Sequence, residues 1–296
     1  MDKVVGGSVK LASGYFLPLM GFGTFRLTGN SAVRTAIDAA LASGYRLVDT
    51  AHLYANEADI GDALKEYLPK YGLNREDVFL TTKLICSADQ VVSGVSQSLS
   101  RLQTPYLDLV LLHFPMCEPW SNDAPHRKKS ADNKQWRREA WKELEKLVAE
   151  GKVRSIGVSN YEPNHLGELA ELATVPPSVN QLELHPHFGR QSVIEKCREM
   201  GVRVQAYTSL GRNHPDLMND PVLMETAHSH GVTVAQVLLA WAMKRDIAVI
   251  PKSAQPDRVK ANFDAVKVNL SEEEVKRITG LNKNRPYTTC DPWNVL

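Results

Sequence analysis

Short apolar runs recur along the chain, and each ends in a polar or reactive side chain. Arg46-Leu47-Val48 leads to Asp49, Val78-Phe79-Leu80-Thr81-Thr82 to Lys83, and Leu109-Val110-Leu111-Leu112 to His113. Later, Ile156-Gly157-Val158 precedes Ser159-Asn160, Val179-Asn180 precedes Gln181, Val204-Gln205-Ala206 precedes Tyr207, and Ile247-Ala248-Val249-Ile250 precedes Pro251-Lys252-Ser253. Parallel strands covered on both faces read this way, which puts the polar termini on one rim of a sheet or barrel. Between the runs, helical periodicity predicts helices over 32–43, 57–68, 88–102, 137–150, 165–173, 192–200 and 234–244. Gly44, Gly72, Gly151 and Gly201 stand where left-handed C-terminal caps belong.

Strands are thus expected near Gly21, Leu47, Phe79, Leu109, Val153, Val179, Val204 and Val249. Such alternation requires right-handed crossovers, and about eight repeats predict an α/β fold of the (β/α)8 TIM-barrel type. Residues 8–17 suit a β-hairpin around Ser13-Gly14 that plugs the barrel bottom, a disordered tail being the alternative. Ser271 and Glu274 fit a capping box for a last helix, and the irregular 282–296 segment is expected as a C-terminal loop over the active-site rim. Residues 115–135, which carry Trp120, form a long connection behind His113 that should also lie over that rim. No composition break divides the chain, so residues 1–296 read as a single barrel domain.

Composition narrows function by exclusion. A net charge of +1 gives no global reason to expect nucleic acid or an acidic membrane as partner. Cys86, Cys117, Cys197 and Cys290 have no metal-ligand spacing, so reduced thiols in a cytoplasmic protein are expected rather than a disulfide scaffold or zinc. His185-Pro186-His187 is the nearest approach to a metal cluster, and packing at a prolyl turn accounts for it equally well, so no metal is expected. With no signal segment, membrane-length apolar run or long exposed heptad pattern, the chain reads as a soluble, intracellular monomer.

Asp49, Tyr54, Lys83 and His113 come from three consecutive strand ends and the loop after the first. Their types suit proton delivery. Each alone is an ordinary strand-end, capping or packing residue; their joint occurrence carries the inference. A tyrosine of ordinary pKa about 10 donates readily at neutral pH only if its phenolate is stabilised. The expectation is that Lys83, held by Asp49, lowers it by about three units, roughly 4 kcal/mol, while His113 binds a substrate oxygen.

The segments Leu47-Val48-Asp49-Thr50-Ala51-His52-Leu53-Tyr54-Ala55-Asn56-Glu57, Thr81-Thr82-Lys83, Leu111-Leu112-His113-Phe114-Pro115, Ile156-Gly157-Val158-Ser159-Asn160 and Ile250-Pro251-Lys252-Ser253 closely resemble the aldo-keto reductase superfamily, in order over essentially the whole chain. The resemblance implies NADPH-dependent reduction of aldehyde or ketone carbonyls, with sugar-derived or acidic compounds among the candidate substrates. Its matching positions are the proton donor Tyr54, its partners Lys83 and Asp49, and the substrate-orienting His113.

The resemblance also assigns a cofactor site, in a chain with neither GxGxxG opening a helix nor a P-loop. Ser159, Asn160 and Gln181 would hold the nicotinamide carboxamide and Tyr207 would stack on the ring. Thr24, Thr208, Ser209 and Leu210 would line the middle of the path, and Asn262 would reach the adenine. Lys252, Ser253 and Arg258 would grip the 2′-phosphate; two cations and a hydroxyl near a helix start at Pro256 suit a dianion.

Some positions depart from the pattern. Ala261 and Gln255 replace common adenine-side residues, and Phe25, Ile85 and Phe114 replace frequent tryptophans. Phe25, Leu53, Ile85, Phe114 and Trp120 are the expected substrate walls, with Trp293 either reaching in from the C-terminal segment or packed on the barrel's side. A basic cluster of Arg127, Lys128, Lys129, Lys134, Arg137 and Arg138 is either a solvated face or an attractor of anionic carbonyls. The alternative function is a nonenzymatic NADPH-binding barrel serving as a redox sensor or scaffold. Retention of all four reactive residues argues against it.

Overall fold

The computed structural model describes residues 4–116, 132–290 and 292–296. Strands β1 (Ser8–Lys10) and β2 (Phe16–Pro18) pair antiparallel, Ser8 opposite Pro18, and the connecting turn uses Gly14 at φ 89°. The expected hairpin is therefore present. Eight parallel strands follow: β3 (Phe22–Gly23), β4 (Leu47–Asp49), β5 (Phe79–Leu84), β6 (Leu107–Leu112), β7 (Val153–Ser159), β8 (Val179–Glu183), β9 (Arg203–Tyr207) and β10 (Ala248–Val249). Each pairs with the next in chain order. The ring closes where Val249 N donates to Leu19 O and Gly21 N to Val249 O, both at 2.8 Å. At this seam a Cβ on Gly23 would stand 2.5 Å from the Ile250 carbonyl oxygen, so only glycine fits.

Helices α1 (Asn30–Ser43), α2 (Glu57–Lys70), α3 (Ala88–Arg101), α4 (Asp132–Ala149), α5 (Pro163–Leu172) and α6 (Gln191–Glu199) fill the first crossovers. The connection after β9 holds two helices that periodicity did not predict, α7 (Pro215–Met218) and α8 (Pro221–His230), before α9 (Val234–Met243). Each opens with a side-chain cap and a proline, His214 receiving Asp216 N and Asp220 receiving Val222 N. Then come α10 (Pro256–Phe263) and α11 (Glu272–Thr279), the latter with the expected Ser271–Glu274 capping box.

Strand alternation sorts the core into two layers. Leu47, Phe79, Leu109, Leu111 and Val179 point into the barrel and meet Val9, Leu11, Leu17 and Leu19 of the hairpin, which plugs the bottom. Val48, Leu80, Val110 and Leu112 point outward against the helices. The same period of two carries Asp49, Lys83 and Gln181 to the inner face near the other end.

Cys86, expected to be reduced, is disulfide-bonded, whereas Cys197 and Cys290 are free thiols. Sequence spacing argues against a scaffold of bridges but not against a pair that folding brings together. Among the described residues, no helix is long and apolar enough to cross a membrane.

Candidate active site

Lys83 sits buried at the end of β5 with all three ammonium protons engaged. Nζ lies 2.5 Å from Asp49 Oδ1, 2.8 Å from the Thr50 carbonyl and 3.3 Å from Tyr54 Oη. Tyr54 reaches it from a short turn, His52–Tyr54, that ends with Ala55 at φ 54°. Buried Asn56 fixes that loop: its Oδ1 accepts from Thr50 Oγ1 at 2.7 Å and its Nδ2 donates to the Thr24 and Leu27 carbonyls. Because Tyr54 Oη accepts from Lys83, its own proton is left for a partner on the cavity side. The His113 ring stands edge-on to Tyr54 at 5.8 Å, and its Nδ1 is buried without a protein partner.

Burial and charge set the protonation states. At Tyr54 burial raises the phenol pKa, Lys83 opposes and Asp49 adds to the rise, so the value ends above the ordinary 10. The expected lowering is thus overturned: burial, with a smaller contribution from Asp49, outweighs the Lys83 charge that was to stabilise the phenolate. Lys83 is also raised; burial alone would lower it, but the Asp49 carboxylate and Tyr54 outweigh that effect. Enclosure of the imidazole, with a smaller push from Lys83, drops His113 to about 3, so it is neutral at physiological pH.

On the neighbouring strand ends, Tyr207 Oη donates to Asn160 Oδ1 at 2.7 Å, and Asn160 Nδ2 donates to the His113 carbonyl at 3.1 Å. Ser159 Oγ donates to the Gln181 carbonyl at 2.9 Å. Gln181 Nε2 gives its protons to Asp49 Oδ2 at 2.8 Å and Gln205 Oε1 at 2.7 Å. Only Gln181 Oε1 remains for a ligand.

These groups share a cavity of about 610 Å³. Phe25, Leu53, Ile85 and Phe114 line it, as do Asp49, Tyr54, His113, Ser159, Asn160, Gln181, Tyr207, Thr208, Ser209, Leu210 and Lys252. Thr24 does not; it is buried, and its hydroxyl is spent on the Asp49 carbonyl. Ser253, Arg258 and Asn262 stand beyond the lining, on the approach to α10 and on that helix. Trp120 lies outside the described residues.

A profile of the Aldo/keto reductase family matches residues 19–283. The chain is 37% identical over 302 residues to the rat (Rattus norvegicus) protein Aldo-keto reductase family 1 member A1, covering 96% of this chain and 92% of the relative. It is 34% identical to glyoxal reductase of Bacillus subtilis (strain 168), covering 96% of each. Its fold matches the crystal structure of a Bombyx mori aldo-keto reductase in complex with NADP with a TM-score of 0.85, at 30% identity and 97% and 96% coverage. The chain belongs to the aldo/keto reductase family.

Two expectations about this reductase's site change. Trp293 is not in the cavity; it packs edge-on against Phe188, ring centres 6.2 Å apart, and lines a separate cleft beside Arg190. The C-terminal segment instead contributes Thr288 and Cys290. Arg137, assigned to the basic cluster, is buried: it pairs with Glu168 at 2.6 Å and donates to the Pro115 and Leu296 carbonyls. Lys134 is exposed, Arg138 half-buried, and Arg127, Lys128 and Lys129 lie outside the described residues. Arg26 and Arg212, not among the expected site residues, are exposed cations in strand-end loops that line the cavity. A charge directly after Phe25 or Gly211 was the available signal. His185 and His187 instead face Glu183, Asp220 and Tyr287, and no group of three or more metal-capable side chains occurs among the described residues.

Proposed function

We propose that the protein reduces aldehyde or ketone carbonyls to alcohols with NADPH, Tyr54 giving the proton. The observation that carries this reading is the saturated Lys83, which leaves Tyr54 neutral with its proton available to the cavity. Tyr54 then acts as a general acid without unusual acidity. An alkoxide is about as basic as hydroxide, water's own pKa being about 15.7, so transfer from a buried phenol remains downhill. Neutral His113 donates one hydrogen bond to the same oxygen, and the apolar walls Phe25, Leu53, Ile85 and Phe114 hold the remainder of the substrate while excluding water.

The residues present fit NADPH. Tyr207 offers a ring face, and Gln181 Oε1 offers an acceptor for a carboxamide, beside Asn160 and Ser159, whose amide and hydroxyl protons are already engaged. Arg26, Arg212, Lys252 and Arg258 have no ion-pair partner among the described residues, leaving four cations for phosphates. Bound NADPH supplies the hydride. The NADP complex of the Bombyx mori relative supports the choice of cofactor. The reading extends to a monomer, which light scattering tests.

The experiment is NADPH oxidation followed by absorbance, with an aromatic and an aliphatic aldehyde. The wild type should turn over both, and Tyr54→Phe should lose at least about a hundredfold in kcat while binding NADPH normally. A Tyr54→Phe variant with full turnover refutes the assigned proton donor. Wild-type protein that binds NADPH but oxidises none with any carbonyl leaves the sensor or scaffold reading instead.

A further inference from the structure

The cavity wall made by Thr288 and Cys290 comes from a stretch without helix or strand, so its position depends on what anchors it. Glu183, buried at the end of β8, supplies the first anchor. Its Oε1 accepts from Tyr287 N at 2.6 Å, and its Oε2 accepts from Thr288 N at 3.2 Å and from Thr288 Oγ1. The second anchor is the Tyr287 ring, which stacks on two imidazoles, His185 at 4.9 Å and 17° and His214 at 4.4 Å and 9°. Tyr287 Oη lies 2.7 Å from His187 Nδ1.

The partners of this ring come from different loops. His185 and His187 follow β8, whereas His214 closes the loop that carries Thr208, Ser209 and Leu210 into the cavity after β9. The backbone of that loop also meets the ring: a Cβ on Gly211 would stand 3.1 Å from Tyr287 Cδ2. Tyr287 itself is outside the cavity lining.

We infer that Tyr287 is a specificity-determining positioning residue, whose stacking on His185 and His214 ties the loop after β9, on the cofactor side, to the Thr288–Cys290 wall on the substrate side. This rests on the reductase reading for its meaning, but the mechanical link does not. Any ligand that settles the 208–214 loop thereby settles the wall, and the size of carbonyl accepted depends on a stack that no substrate touches.

The test compares Tyr287→Leu, Tyr287→Phe and His214→Leu in two assays. The first is hydrogen exchange of the 208–214 amides in the free protein. The second is the kcat/KM ratio for a bulky against a small aldehyde. Tyr287→Leu and His214→Leu should speed loop exchange by about tenfold. They should change the ratio by about fivefold or more through KM, with kcat for the small aldehyde held within about twofold. Tyr287→Phe keeps the stack and should match the wild type in both. Unchanged exchange and ratio in Tyr287→Leu, or a Tyr287→Phe as impaired as Tyr287→Leu, overturns the inference. A wild type inactive on every carbonyl would sink the reductase reading alone, and the exchange experiment would still decide the link.

Discussion

Replacing Lys83 with Met separates what the ammonium does for the fold from what it does for proton transfer. Its bond to Tyr54 Oη, at 3.3 Å, strengthens as the phenol gives up its proton. Hydrogen bonds to charged groups contribute about 1.5–3 kcal/mol, which corresponds to roughly 10- to 150-fold in kcat. The 2.5 Å contact with Asp49 concerns stability instead. Without it a carboxylate only 2% exposed keeps Gln181 but loses its counter-charge, a loss of about 3–5 kcal/mol for a broken buried pair. The single variant should therefore be slow and also unfold at lower urea. In the double variant Asp49→Asn/Lys83→Met the orphaned charge is gone, so most of the stability should return while kcat stays low. Saturating NADPH and aldehyde give kcat by absorbance, and urea titration gives stability. A single variant within about threefold of wild-type kcat, or a double variant that regains turnover, would refute the assignment of Lys83 to the proton step.

Burial holds His113 at about 3 and His165 at about 4, below an unfolded value of about 6.5. Between these limits the unfolded chain binds more protons, so stability should rise with pH from about 4 to 6.5, these two groups contributing about 2.7 kcal/mol per pH unit in mid-window. His165→Asn should remove about half of that slope in urea titrations at pH 5 and 6, and an unchanged slope would count against buried neutral His165. Lys252→Met should weaken NADPH binding about tenfold or more and NADH binding little, measured by fluorescence titration; equal losses would move Lys252 off the 2′-phosphate. Arg137→Met should cost about 3–5 kcal/mol, because Glu168 and two carbonyls lose a buried partner. Its preference for acidic over neutral aldehydes should not change, and a change would restore the anion-attracting role.

The strand ends were legible because parallel strands buried on both faces have no room for polar residues except at their termini. Other features depend on contacts that periodicity does not encode. Helices α7 and α8 are short, and their cues were local: His214 before Pro215 and Asp220 before Pro221. Arg137 could have been placed from helical spacing, since Ala140, Trp141 and Leu144 on the same helix are buried beside it in sequence. Nothing near Trp293 distinguishes a cavity residue from one packed on Phe188. What positions the C-terminal segment is Glu183, about a hundred residues away, through backbone amides that any sequence would provide. The direction of the Tyr54 shift was missed for a related reason: residue types reveal charges, but burial and the short Asp49–Lys83 contact decide which effect wins.

That contact also alters how the rim is divided. The strand ends read as two groups, proton delivery at Asp49, Tyr54, Lys83 and His113, and cofactor holding from Ser159 onward. The structure joins them at Asp49 and Gln181, both in the cavity lining. Lys83 holds one oxygen of Asp49, Gln181 reaches across the barrel interior to the other, and the same Gln181 amide also binds Gln205 on the adjacent strand. A second link runs above it, where Asn160 holds the His113 carbonyl while accepting from Tyr207. Residues read as cofactor ligands therefore also orient the carboxylate that fixes Lys83 and the backbone that carries His113. Side chains committed to such buried partners leave few free polar atoms, chiefly Gln181 Oε1 and the Tyr54 proton. This is why a site so rich in polar residues can present a ligand with a small number of oriented groups instead of a flexible polar surface.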